Sequence, residues 1–149
     1  MDKKNKDIII NHFDKIVESD EWKKIAPYGS STVNYYLRCP YIHIDKIIDT
    51  LSEKNLSILD YCCGTGIYSI NPAKKGHYVH GIDFSLKSIE IAREKAKFYR
   101  VEKNTLFTEM DAEDLKYDDN SFDIILSYGS LSYLNLDRSY KELNRVLKP

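Results

Sequence analysis

Apolar and polar positions along the chain fall into two rhythms. Near the start, Ile9, Phe13, Ile16 and Val17 share one helical face, and Ile44, Ile47, Ile48 and Leu51 form a second such stripe, the spacing of amphipathic helices. Residues 26–41 between them read as a connector containing Pro27, Tyr28, Gly29, Tyr35, Tyr36 and Tyr41. Pro40 suits the first turn of the second helix, where its missing N–H costs nothing. From Leu56 onward, short apolar runs alternate with helix-length segments. Residues 56–61 predict a strand running into a glycine turn, Cys62-Cys63-Gly64-Thr65-Gly66. Pro72 must kink or shorten the helix behind the turn, and Gly76 ends it. Residues 77–82 predict a second strand stopping at Asp83, and Ser85 is placed to cap a helix through Leu86, Ile89, Ala92 and Ala96. A third strand follows at 105–110, an acidic loop at 111–120 and a fourth strand at 122–127. Leu136, Tyr140, Leu143 and Leu147 space the last helix. Strands alternating with helices imply right-handed crossovers and a parallel sheet, an α/β fold. The chain divides into an N-terminal helical cap and connector, 1–55, and a core, 56–149.

Composition narrows the class rather than the fold. Of 149 residues, 42% are apolar and 12% aromatic, which supplies a core that a disordered chain lacks. One domain is the natural count at this length. Twenty-two Lys and Arg against 23 Asp and Glu leave a net charge of -1. No global basic field therefore draws nucleic acid or an anionic membrane surface. The run Ile8-Ile9-Ile10 is too short for a signal peptide, and no stretch nears the ~20 apolar residues of a membrane span. Three cysteines, two of them adjacent at Cys62-Cys63, make a poor disulfide framework. A reduced, cytoplasmic protein is the expectation. Without a CxxC or Cys/His cluster, the cysteine pair reads as buried small residues, with no metal site.

Candidate chemistry gathers at the strand ends, where open parallel sheets bind their ligands. Asp60 precedes the glycine turn, Asp83 ends the second strand and Asp111 ends the third. Gly64 and Gly66 let backbone approach a ligand closely and permit positive φ. The N–H groups that open the next helix can meet a carboxylate or phosphate. Asp83 lies 19 residues after Gly64, the distance at which an acid grips ribose hydroxyls. An adenosine-containing ligand is the inference. Each feature alone has a plainer reading: a tight turn, a helix-capping acid, a solvated acidic loop, and tyrosines that serve as core and boundary residues.

The strings LDYCCGTG at 59–66, GIDFS at 81–85, DAEDLKYDDNSFDII at 111–125 and ELNRVLKP at 142–149 occur together. In order and spacing they resemble the class I S-adenosylmethionine-dependent methyltransferases, and among these the ubiquinone/menaquinone-biosynthesis type. The resemblance runs from about Leu56 to Pro149. It implies a Rossmann-like parallel sheet of which this chain carries strands one to four, the family's strands five to seven being absent after Pro149. It also implies S-adenosyl-L-methionine as cofactor and S-adenosyl-L-homocysteine as product. Carried over residue by residue, Asp60 and the turn residues Cys62, Gly64, Thr65 and Gly66 would hold the methionine end. Asp83 would take both ribose hydroxyls with Phe84 beside the adenine, Asp111 would accept from the adenine amino group, and the Ala112 N–H would meet the ring. Ser127 would offer its carbonyl near the ammonium. Tyr128, Gly129 and Ser130 would face the methyl group and a small-molecule acceptor, and Tyr28, Tyr35 and Tyr36 are candidates for closing over the cofactor. Two positions depart from the pattern: Cys62 stands where many members have glycine, and Pro72 sits where a helix usually continues.

A sulfonium methyl is already activated, so alignment at roughly 3 Å and exclusion of water carry most of the catalysis. No catalytic base is assigned, because His12, His43, His77 and His80 have no spacing that singles one out. Two other functions fit part of the pattern. An NAD- or FAD-dependent Rossmann oxidoreductase wants Gly-x-Gly-x-x-Gly/Ala, but the third position here is Ser69. A non-catalytic remnant that binds S-adenosylmethionine is the other, and turnover by the chain alone is expected to be poor. The acceptor and its reacting atom are not written in these residues. In the family's strand order, 3-2-1-4-5-7-6, absence of the fifth strand bares one side of the fourth. That side would carry Phe122, Ile124, Ile125 and Leu126 with Asp123 as its single charge, an edge that templates pairing with another chain. Self-association is the consequence.

Overall fold

The computed structural model describes residues 3–18 and 35–149. Two helices come first, α1 (Lys3–Glu18) and α2 (Tyr35–Thr50), followed by β1 (Ser57–Tyr61), α3 (Ile67–Lys74), β2 (Tyr78–Asp83) and α4 (Leu86–Phe98). Then come β3 (Thr105–Glu109), β4 (Ile124–Ser127) and α5 (Leu136–Val146). The four strands form one sheet in the order β3-β2-β1-β4, with every pairing parallel. Tyr28, and the side chains of Tyr35 and Tyr36, lie outside the described residues.

Strand β1 shows why the sheet needs a layer on each face. Its side chains alternate, so Ile58 joins a core with Ile48, Ile70, Val79, Ile89 and Phe107, beneath α2, α3 and α4. Leu59 and Tyr61 join the opposite core with Ile82, Leu115, Phe122 and Val146, beneath α5 and the acidic loop. A strand buried on both sides reads as an apolar run, and Asp60 is therefore a conspicuous interruption. On the first face the Phe107 ring fills the space left by two glycines. A Cβ on Gly81 would sit 2.5 Å from that ring, and one on Gly66, where φ is +71°, would sit 2.9 Å from it and 2.8 Å from Ala92.

Three helix expectations need correction. The second helix begins at Tyr35, so Pro40 lies in its second turn rather than its first, and one i→i−4 hydrogen bond is forgone. Its stripe is also narrower than drawn, because Ile48 is buried while Ile47 is exposed. In α5 the phase is shifted: Leu136 and Tyr140, with Leu147 just beyond the helix, are exposed, and the buried positions are Ser139 and Val146 with Leu143 packed beside them. The shift follows from Arg145 and Glu142. Arg145 donates to the carbonyls of Leu115 and Tyr117 and to Asp119 and Glu142, and Glu142 accepts from the Leu115 N–H at 2.9 Å. Pinning the acidic loop to these polar residues turns the Leu136–Tyr140 side outward.

Strand β4 is an edge with one partial cover. Phe122 forms a lone parallel bridge with Leu147, its N–H donating to the Val146 carbonyl at 3.0 Å and its carbonyl accepting from Lys148 at 2.9 Å. Asp123 turns the other way, its N–H reaching Ser57 on β1. Peptide groups alternate along a strand, so those of Ile124 and Leu126 point to the outer side. Among the described residues no strand pairs there.

Candidate functional site

The carboxyl ends of the strands open onto a cavity of about 530 Å³, and Cys62, Gly64, Asp83, Phe84, Tyr128, Gly129 and Ser130 lie on its wall. A second cavity of about 270 Å³ shares Phe84 and is lined by Ile10, Glu109, Met110 and Asp111. Seven of the residues read from the sequence thus share one wall, and Asp111 reaches the adjoining space. Asp60, Thr65, Gly66, Ala112 and Ser127 are not on either wall. Asp60 is 3% exposed beneath the turn. The buried Ala112 gives its carbonyl to the Tyr61 hydroxyl at 2.8 Å, and Ser127 is exposed with its Oγ 3.3 Å from that of Ser130.

Asp83 organises the turn directly. Its carboxylate accepts from the Gly64 N–H at 2.9 Å and from the Ser85 N–H at 3.0 Å. Ser85 in turn caps α4 by accepting from the Ser88 N–H, and its hydroxyl donates to Asp14 of α1 at 2.6 Å. Burial raises the Asp83 carboxyl above the usual range despite these donors, and Asp14 adds to the effect. Asp60 accepts from the Ser69 hydroxyl at 2.6 Å, and burial pushes its carboxyl up to about 7. Ser69 occupies the position where a dinucleotide fingerprint needs Gly or Ala, and here its hydroxyl has a buried partner.

Cys62 adopts φ +57°, the left-handed region, a strain of a kind that clusters at ligand sites. Burial and the neighbouring Asp83 push its thiol up to about 12, so it stays protonated near neutral pH and is no nucleophile. Cys63 is also buried, and burial, with Asp60 and Asp83 nearby, holds its thiol well above the usual range. Among the described residues no group of three or more His, Cys, Asp or Glu is disposed to hold a metal ion.

Sequence reasoning missed Ile9, Ser88, Tyr133 and Leu134, which also line the larger wall among the described residues. Tyr133 and Leu134 end a short 3-10 turn, Leu131–Tyr133, that follows the Gly129-Ser130 segment. Their place so soon after the fourth strand was the available signal. Ile9 lies on the expected α1 stripe, but only the packing of α1 against α4 brings it to the site. Tyr128 packs against Tyr68 with ring centroids 5.5 Å apart and ring planes tilted by 57°, giving the outer wall an aromatic surface. The acidic loop is partly built in rather than solvated: Asp111 accepts from the Glu113 N–H, and the buried Glu113 accepts from the Asn135 N–H.

A bound adenosyl group can be tested against this wall. A Cβ added at Gly64, at φ +51°, or at Gly129 would meet nothing within 4 Å, so both open onto space that a side chain would fill. The buried Asp83 carboxylate is met by the backbone N–H groups of Gly64, Phe84 and Ser85, which leaves acceptor capacity among its roughly four lone-pair sites. The residues fit such a group.

Comparison with known proteins gives the same reading. The family described as "Methyltransferase domain" matches residues 58–149. A 2-phytyl-1,4-naphtoquinone methyltransferase from Nostoc punctiforme is 37% identical over 95 residues, covering 61% of this chain and 41% of that protein. A demethylmenaquinone methyltransferase from Lactobacillus johnsonii is 38% identical over 95 residues, covering 61% and 39%. The chain therefore spans about two fifths of the length of these curated relatives. In fold, it superposes on an S-adenosylmethionine-dependent methyltransferase, titled as putative, from Methanococcus maripaludis with TM-score 0.72, 20% identity and coverage of 93% and 59%. It also matches the (4+2)-cyclase SpnF with TM-score 0.65, 31% identity and coverage of 70% and 41%. With a Rossmann-like sheet in the order β3-β2-β1-β4 and the acid-and-glycine wall at its carboxyl ends, the chain belongs to the class I S-adenosylmethionine-dependent methyltransferase family.

Proposed function

We propose that this chain binds S-adenosylmethionine and directs its methyl group to a small, apolar, ring-shaped acceptor of the quinone type. The observation that carries the reading is the meeting of Gly64, Asp83 and Tyr128, from three different strand ends, on one cavity. In this reading Asp83 and Phe84 hold the ribose and adenine, with Asp111 and Ala112 at the far edge of the ring. Asp60, Thr65, Gly66 and the Ser127 carbonyl set the methionine end, and Tyr128, Gly129 and Ser130 face the acceptor. When bound, S-adenosylmethionine supplies an electrophilic methyl on a sulfonium, so no side chain has to activate that carbon. The chain's own work is to orient and to exclude water, and Tyr128, Tyr133, Leu134 and Ile9 make the wall apolar enough to do so. The names of the two quinone methyltransferases support a quinone-like acceptor, as does this aromatic wall. Residues 1–55 are read as the cap; of their described residues, Ile9 lines the larger cavity and Ile10 the adjoining one. We place the reaction in the cytoplasm, where Cys62 and Cys63 stay reduced; both are free thiols, and no helix among the described residues is long and apolar enough to cross a membrane.

Titration calorimetry with S-adenosylhomocysteine should give saturable binding, and NAD none. Tight NAD binding without S-adenosylhomocysteine binding would sink the reading in favour of an oxidoreductase. Because SpnF shares the shape and is titled a cyclase, binding alone does not establish transfer. Labelled methyl appearing on a demethylated naphthoquinol is the decisive product, and binding with no transfer to any ring acceptor favours a non-catalytic binder.

We also propose that the isolated chain self-associates through β4. The outward amides of Ile124 and Leu126 form a short apolar template, while Phe122 is already engaged by Leu147. Sedimentation at micromolar concentration should show a dimer or larger species. A monomer with slowly exchanging Ile124 and Leu126 amides would mean that the edge is covered within the chain.

A further inference from the structure

Lys95 lies in the last turn of α4, yet its side chain does not run to solvent. Its ammonium donates to the Thr65 hydroxyl at 2.6 Å, bridging 30 positions of sequence. The residue is half-buried, whereas Lys97, two positions on, is exposed. Burial draws the Lys95 ammonium down to about 8, which marks a cation held away from water. Taking a lysine out of water is unfavourable unless polar partners compensate, so its placement against the turn calls for a reason.

The geometry of the turn provides one. Gly64 and Gly66, at φ +51° and +71°, flank Thr65. Glycines carry the largest backbone freedom to be lost on ordering, so Thr65 is poorly fixed by its own neighbours. Gly64 is tied to β2 through Asp83, and Gly66 is tied within the turn by donating to the Cys63 carbonyl at 2.9 Å. The third anchor, on Thr65 itself, comes from α4. We infer that Lys95 is a positioning residue of the glycine turn, holding Thr65 so that the backbone between Gly64 and Gly66 is ordered before the cofactor arrives. The inference rests on the cofactor reading above. A turn ordered in advance binds more tightly because less freedom is lost on binding.

The test is a double-mutant cycle read by S-adenosylhomocysteine titration. Lys95→Met keeps the packing of the aliphatic stem and removes the donor, and Thr65→Val removes the acceptor. Each single change should weaken binding about tenfold, the value of one charge-assisted hydrogen bond, and the double variant should be no weaker than either. Amide exchange of the unliganded protein supplies a second readout. In Lys95→Met the Gly64 and Gly66 amides should exchange faster while those of Leu59 and Ile82 are unchanged. Unaltered affinity in the single variants, additive losses in the double, or faster exchange spread through β1 and β2 would each overturn the inference. Failure of the unmodified chain to bind S-adenosylhomocysteine would overturn the cofactor reading and this inference with it, which separates that failure from one confined to Lys95.

Discussion

Replacing Asp83 by Ala is expected to weaken S-adenosylhomocysteine binding by about 30- to 1000-fold, or ~2–4 kcal/mol. Two losses combine. The ribose hydroxyls lose a carboxylate that is 8% exposed, where charge-assisted bonds face little competition from water. The Gly64 and Ser85 N–H groups also lose their acceptor, which loosens the turn and the start of α4 together. Asp111→Asn should do much less, because an amide oxygen can still accept from an adenine amino group. Calorimetry on folded variants below their thermal transitions checks both. Parental affinity in Asp83→Ala would remove the ribose assignment, and equal losses in the two variants would point to charge at the site rather than particular bonds.

Cofactor affinity should rise about tenfold per pH unit as pH increases toward 7, and level off above it. The cause is Asp60. With its carboxyl pushed up to about 7, mainly by burial and further by Asp83, the unliganded protein holds it protonated in mild acid. An ammonium on the methionine end favours the ionised form, so binding below pH 7 must release a proton. The effect of this group on stability has the opposite sign. A folded pKa above the unfolded value of 3.8 stabilises the protein fully below that value, and the contribution is lost as pH rises to about 7. Buried His77 and half-buried His80, whose pKa values are lowered chiefly by burial, act the other way, losing stability as pH falls below 6.5. The measurement is therefore the difference between the parent and Asp60→Asn, by titration for affinity and by denaturant unfolding for stability. An identical pH profile of affinity in the two proteins would show that Asp60 does not meet the ammonium.

The strand ends were the most legible part of this chain. Apolar runs closed by an acid or a glycine turn are local patterns, and the positions of Asp60, Gly64 and Asp83 follow from them with little help from tertiary context. Helix faces were less legible. The Leu136–Tyr140–Leu147 spacing looked buried, but the Arg145 and Glu142 bonds to the acidic loop decided the phase of α5, and those partners lie some 25 to 30 positions away. Ile9 and Lys95 were hidden for a related reason. Nothing in the local spacing of either says that its helix crosses the mouth or the floor of the turn. Distance also concealed Ser69, which reads as a mismatch to a dinucleotide motif until its hydroxyl is seen against Asp60.

The order β3-β2-β1-β4 has a mechanical consequence. Asp60 and Asp83 lie at the carboxyl ends of β1 and β2, and the glycine turn follows β1; these are the two strands that are paired on both sides. Tyr128, Gly129 and Ser130 follow β4, which among the described residues is paired along its length with β1 and at Phe122 with Leu147. Detaching the acceptor wall breaks one ladder of four residue pairs, whereas displacing the cofactor wall requires tearing the middle of the sheet. Local unfolding follows the weakest ladder. On the proposed reading, the floor assigned to the nucleoside is thus the stiff half of the cleft, and the tyrosine side is the hinge-prone half.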